Sequence, residues 1–187
     1  MKLLPLLRRL VLSLGMAAAA LPASAAFYIG DTTDGPTFDR PFADFSGISG
    51  IGTDVSYEVF AFQVTVAGDY IVRSFAEGLR QGQPWDQFIF LYEGSFDPTQ
   101  PLINGVIAND DFNGTIGRSG FDIALATNTA YYLVTTGFES SEQGRYLNII
   151  RGPGAIVPVP EPETYALLAL GLGAVVLAVR RRRGEEL

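Results

Sequence analysis

The 187-residue chain contains no cysteine and no histidine. Disulfide frameworks, His- or Cys-ligated zinc, and every Ser-His or Cys-His nucleophilic dyad are therefore excluded. Tryptophan occurs once, at Trp85, and lysine once, at Lys2. Between residues 27 and 157 all the bases are arginines, six of them against sixteen acids, a net charge of −10. A domain that acidic repels phosphate backbones, so nucleic acid is not an expected partner. Convincing helical periodicity is also missing from this stretch, which leaves strands to build its core.

The two ends carry the clearest signals. Residues 1–25 run from Met1-Lys2 and Arg8-Arg9 through apolar Leu10–Ala20 to Ala23-Ser24-Ala25. Basic, apolar and small residues in that order predict a secretory signal peptide cleaved after Ala25. Leu7 before the arginine pair and Leu10-Val11-Leu12 after it lack the twin-arginine pattern, so general secretion is expected. At the other end, residues 157–164 read Val-Pro-Val-Pro-Glu-Pro-Glu-Thr. Three prolines in five positions fix φ and remove backbone donors, predicting an extended, accessible segment outside any neighbouring element. Apolar residues 165–179 follow, about 22 Å as a helix and short for a hydrocarbon core of ~30 Å. Tyr165 at one interface and snorkelling Arg180, Arg181, Arg182 and Arg183 at the other would extend that reach. Those arginines, in the basic tail 180–187, place the C-terminus in the cytoplasm and the domain outside.

Pro160-Glu161-Pro162, the short Leu/Ala/Gly run and the arginine cluster together resemble the PEP-CTERM sorting domain over residues 158–183. The resemblance implies a Gram-negative exporter of extracellular polysaccharide and an exosortase, a membrane-embedded cysteine transpeptidase that removes the anchor near this motif. The family's usual Ser after the second proline is replaced here by Glu163-Thr164.

Residues 26–156 are expected to form the exported domain. Phe60, Phe62, Val64 and Val66 alternate with Ala61, Gln63 and Thr65, the period of a half-buried strand. After Ala67-Gly68 a second strand, 69–75, is expected to complete a hairpin. Residues 87–93 are apolar on both faces and read as a central strand. Further strands are expected over 102–108, 121–125, 131–136 and 145–150. Residues 29–53 hold too much Gly, Pro and Asp for strands, with Phe38, Phe42 and Phe45 expected to cover a sheet edge. The fold class is all-β, a single jelly-roll-like β-sandwich. Val59-Phe60-Ala61-Phe62, Ala67-Gly68-Asp69-Tyr70, Trp85–Tyr92, Asn109-Asp110-Asp111 and Thr129–Val134 together resemble a bacterial pre-peptidase C-terminal type sandwich. That resemblance implies a non-catalytic accessory module.

Three constellations could carry chemistry. Asp86, Asn109, Asp110 and Asp111 could supply oxygen ligands to calcium, although Asp and Asn also sit in such turns simply as turn formers, with Asn113-Gly114 making the tight bend. No other cofactor is expected. Trp85, after Gly82-Gln83-Pro84, is the aromatic expected to be exposed and able to stack on a sugar. Paired carboxylates among Asp86, Glu93, Asp110 and Asp111 could in principle hydrolyse a glycosidic bond, but a small sandwich offers little room for a cleft. Asn113-Gly114-Thr115 is a short sequon of the kind that arises often by chance. The expected function is an exported surface or matrix protein, held transiently at the membrane, processed by exosortase and associated with extracellular polysaccharide. A carbohydrate-binding module is the alternative, with a small hydrolase behind it.

Overall fold

The computed structural model describes residues 24–76, 84–159 and 170. Ten strands occur among them: β1 (Ser24–Asp31), β2 (Thr37–Phe38), β3 (Val55–Val64), β4 (Gly68–Ala76), β5 (Gln87–Glu93), β6 (Gly105–Asn109), β7 (Arg118–Leu125), β8 (Tyr131–Gly137), β9 (Arg145–Gly152) and β10 (Ile156–Pro158). One sheet has the order β1-β9-β4-β7; the other runs β10-β3-β8-β5-β6, with β2 paired to β3. Every pairing between these strands is antiparallel. The sequence expectation of an all-β sandwich holds at this level.

Alternation along each strand decides what is buried. On β3 the even positions Phe60, Phe62 and Val64, with Leu133 of the neighbouring β8, face the other sheet, where they meet Tyr70, Val72 and Ile150. Full burial of each such side chain stabilises by about 1.5–3 kcal/mol. The opposite face of the larger sheet has an apolar layer of its own. Phe88, Phe90, Tyr92 and Val134 pack there with Phe38, under Phe45 and Phe96 from the loops. The rings of Phe45 and Phe90 meet edge to face at 5.7 Å, as do those of Phe38 and Phe96. This second layer explains why Gln87 through Tyr92 are all buried, as their unbroken apolar run predicts.

Four local expectations change. Residues 60–66 and 69–75 do not form a hairpin: β3 pairs with β8 and β10, and β4 with β7 and β9, so Ala67-Gly68 carries the chain across the sandwich. A tight Gly-containing turn serves either connection, and the core chose between them. The N-terminal stretch contributes β1, an eight-residue edge strand, despite its glycine. A Cβ at Gly30 would collide with the Glu58 carboxylate and the Tyr146 hydroxyl, so close approach requires glycine there. Phe38 and Phe45 cover the outer face of the larger sheet where an edge was expected, and Phe42 stays 48% exposed. Finally, Val157 and Pro158 join β10, and the Val159 N–H donates to the Ala61 carbonyl at 2.9 Å. Proline is tolerated because β10 is an edge strand, where a missing donor costs nothing in the ladder.

The boundaries expected for the leader and the anchor fall largely outside the described residues. β1 starts at Ser24, two positions ahead of the expected domain start. Pro160, Glu161, Pro162 and Arg180 through Arg183 lie outside, as does 165–179 apart from Leu170. Among the described residues no helix is long and apolar enough to cross a membrane.

Candidate functional site

The acidic residues singled out in the sequence do converge. Asp86 immediately precedes β5, and Asn109 ends β6, the neighbouring strand, paired with Ile89. Asp110 and Asp111 follow Asn109 into a single 3-10 turn, Phe112–Gly114. Asn113 (φ 59°) and Gly114 (φ 66°) take left-handed backbone there, the expected role of that dipeptide. Strand adjacency therefore brings Asp86 to Asp110 and Asp111, as the sequence reading supposed.

Their environments differ from one another. The Asn109 side chain is committed, its Oδ1 accepting from the Gly120 N–H at 2.8 Å. Asp86, Asp110 and Asp111 each keep one buried carboxylate oxygen without a protein partner. Burial, then the charges of Asp111 and Glu142, push the Asp86 carboxyl up to about 6. Burial, then Asp86 and Asp111, push Asp110 up to about 7. Glu142 also anchors the site, its Oε2 accepting from the Asp86 N–H at 2.7 Å.

The sequence reading missed the cation that faces this cluster. Arg40 is 2% exposed, and its charge opposes the upward shifts of both Asp86 and Asp110. Its guanidinium lies over the Phe88 ring at 4.6 Å and the Phe138 ring at 4.9 Å. Nε and Nη2 donate to the Phe138 carbonyl at 3.0 and 2.6 Å, and Nη1 to the Pro41 carbonyl at 3.1 Å. Burial pulls its pKa down, with Asp110 and Asp86 pulling the other way. No sequence periodicity marks Arg40, because it comes from a loop laid over the outer face. Among the described residues no group of three or more acids is gathered closely enough to hold a metal ion.

Trp85 is placed differently from the expectation. It is 4% exposed, and its Nε1 donates to the Arg145 carbonyl at 2.9 Å. Gly144 comes so close that a Cβ there would sit 3.0 Å from the indole. The ring is a packed prop between the start of β5 and the start of β9, so it offers no stacking face. Glu93 ends β5 at the opposite end of that strand from Asp86, which separates it from the other carboxylates.

A half-buried carboxylate was not singled out in the sequence. Glu58 on β3 accepts from the hydroxyls of Tyr28 and of Tyr146, the latter at 3.0 Å, and from the Asp31 N–H at 2.9 Å. It ties the two sheets together at the β1 edge. Its only sequence signal is an acid on the inward positions of an otherwise apolar alternation.

Comparison with known proteins adds one specific match. Residues 158–183 match the PEP-CTERM protein-sorting motif. The match implies an exported surface protein, anchored by its C-terminal region and processed by exosortase. None of the curated proteins shows significant similarity to the chain. Among solved structures, CBM35 from Cellvibrio japonicus Abf62 superposes with a TM-score of 0.40 at 13% identity, over 73% of this chain and 99% of that one. A score that low carries no argument about function.

Proposed function

We propose that the chain is a transiently anchored surface protein whose sandwich is a non-catalytic structural or adhesive module, released or transferred by exosortase into an extracellular, polysaccharide-containing matrix. The observation that carries this reading is the sorting motif at 158–183, whose first residue is also the last of β10. The ordered domain thus leads straight into the segment that exosortase would grip. Residues 1–25 act as a cleaved secretory leader, 165–179 as the temporary span and 180–187 as its cytoplasmic stop. In the domain itself, burial and mutual repulsion account for the raised carboxylates, with Arg40 as their counter-charge, so no catalytic acid need be invoked.

The test is processing. Deleting Pro160–Pro162 should leave a full-length, membrane-retained chain, and normal release of that deletion would sink the proposal. Calcium is not required by it. A melting curve in EDTA and in millimolar calcium checks the acidic turn separately: a bound ion at a hundred times its dissociation constant adds about 2.7 kcal/mol, and Asp110→Ala would abolish that gain.

A further inference from the structure

Charge is divided between the two outer sides of the sandwich. On the outward face of the four-stranded sheet, the register sets Phe27 beside Ile149 and Arg73, and Ile29 beside Leu147 and Phe75. Arg151, Ile71 and Asp122 form the adjoining row. Phe27, Ile29 and Ile71 are 68%, 57% and 42% exposed. Arg73, Arg118, Arg145 and Arg151 all belong to this face, against Asp31, Asp69 and Asp122. Its net charge is therefore +1, on a domain that is otherwise strongly acidic. The other arginine among the described residues is the buried Arg40, and the other twelve described acids lie elsewhere.

The opposite side of the molecule exposes a second apolar patch with the reverse rim. Loops covering the six-stranded sheet present Ile48, Leu102 and Ile103, which are 40%, 42% and 54% exposed and line one shallow depression with Thr99, Gln100 and Pro101. Asp97 closes one rim, accepting from the Thr99 N–H at 2.9 Å and from the Gln100 amide at 3.3 Å. Asp44 sits in the turn between Pro41 and Ile48, which are bridged to each other.

We propose that these two surfaces dock on one another in neighbouring copies of the chain, head to tail. The occupant of the arginine-rimmed sheet face is the acid-rimmed loop patch of a second copy. Apolar area meets apolar area at the centre, and arginines other than Arg73, which is paired with Asp122 of its own face at 2.8 Å, meet aspartates at the edge, which sets register and partner choice more than bulk affinity. Four strands about 4.8 Å apart, each of about eight residues at ~3.4 Å, span roughly 500 Å². Complete burial of that face against an equal area on the partner would reach at most about 1,000 Å², the lower limit of a specific interface. The two surfaces differ and lie on opposite sides, so the contact is heterologous and continues as an open row unless its rotation closes a ring. This goes beyond sorting and does not depend on it.

The absence of cysteine makes the test clean. Full-length chains carrying either Ile29→Cys or Leu102→Cys are purified in mild detergent, mixed and treated with a short thiol-reactive cross-linker. Head-to-tail docking predicts that the mixed product exceeds either like–like product by about ten-fold, since only unlike surfaces are complementary. Adding Arg151→Glu to the Ile29→Cys chain should lower that yield several-fold. A dominant like–like product of Ile29→Cys would mean that two sheet faces meet, and overturns the proposal. So does the absence of product from variants that melt like the parent, or a yield indifferent to Arg151→Glu. Retention of the parent chain on alginate through Arg151, without any mixed product, would assign the face to an acidic polysaccharide instead and equally overturn it.

Discussion

The two halves of the space between the sheets are built from different chemistry. In one half Phe62, Tyr70, Val72, Leu133 and Ile150 interlock with almost no exposure. In the other, Asn148, Ser74 and Ser119 form a row across the four-stranded sheet and face Thr135, Gln87 and Glu58. Asn148 Nδ2 donates to Thr135 Oγ1 at 2.9 Å, and Ser119 Oγ donates to the Gln87 carbonyl at 2.8 Å. Burial, reinforced by Tyr28 and Glu58, raises the Tyr146 phenol well above its ordinary range, so it stays a donor to Glu58 at any physiological pH. The apolar half supplies transfer free energy without direction. The polar half gives up solvation and gains direction only through the bonds it does make, since Ser74 Oγ, both amide atoms of Gln87 and Asn148 Oδ1 are buried there without a partner among the described residues. Those bonds also reach the candidate site, since the one hydroxyl proton of Ser119 is shared between the Gln87 carbonyl and the Asp110 carbonyl, the latter 2.5 Å from Oγ.

Substitutions in the two halves would sharpen this contrast. Leu133→Ala in the apolar half should cost about 3–4 kcal/mol through lost transfer energy and a residual cavity, read from denaturant unfolding. Glu58→Ala in the polar half should cost roughly 2–3 kcal/mol, since it strands two phenol donors and the Asp31 N–H. Asn148→Ala should cost less, about 1–2 kcal/mol, because Thr135 loses a single neutral bond. An equal loss for Asn148→Ala and Leu133→Ala would break the distinction.

The smallest effect concerns pH. Asp86 and Asp110 have folded pKa values of about 6 and about 7, above the unfolded value near ~4. The folded state holds protons that the unfolded state releases, so their contribution is full below the unfolded pKa and lost as pH rises through the folded one. Asp111, Glu142 and Glu139 face them and add to the shift, while Arg40 opposes it. Asp31, Asp44 and Asp97 are shifted downward by Thr33, Ser46 and Thr99, and matter only in more acidic solution. The melting midpoint should therefore be a few degrees higher at about pH 5 than at about pH 8, roughly 1 kcal/mol after solvent screening. Replacing both Asp86 and Asp110 with Asn should flatten the profile.

Much of the strand content was legible in the sequence because alternation and apolar runs report burial directly. β5, β7, β8 and β9 lie where their patterns place them. β6 begins at Gly105, three residues later than expected, because Leu102 and Ile103 are spent on the exposed loop patch. β1 was illegible because its outward side chains, Phe27 and Ile29, are apolar while its inward ones include Ala26 and Gly30, which reverses the usual contrast. In the candidate site, the meeting of Asp86 with Asp110 and Asp111 was readable from strand adjacency. Arg40 was not, since a loop residue reaches its partners through the fold and not through spacing.

The sequence alone determined the sorting motif at 158–183, the exclusion of His and Cys chemistry, and an all-β domain, since each of these is a property of composition or of local order along the chain. Tertiary structure decided the rest: that β3 and β4 separate into different sheets, that Trp85 is a buried prop, that Arg40 answers the aspartates, and that four of the arginines gather on one sheet face. Those outcomes depend on which surfaces pack against each other, and residues far apart in the chain settle that together.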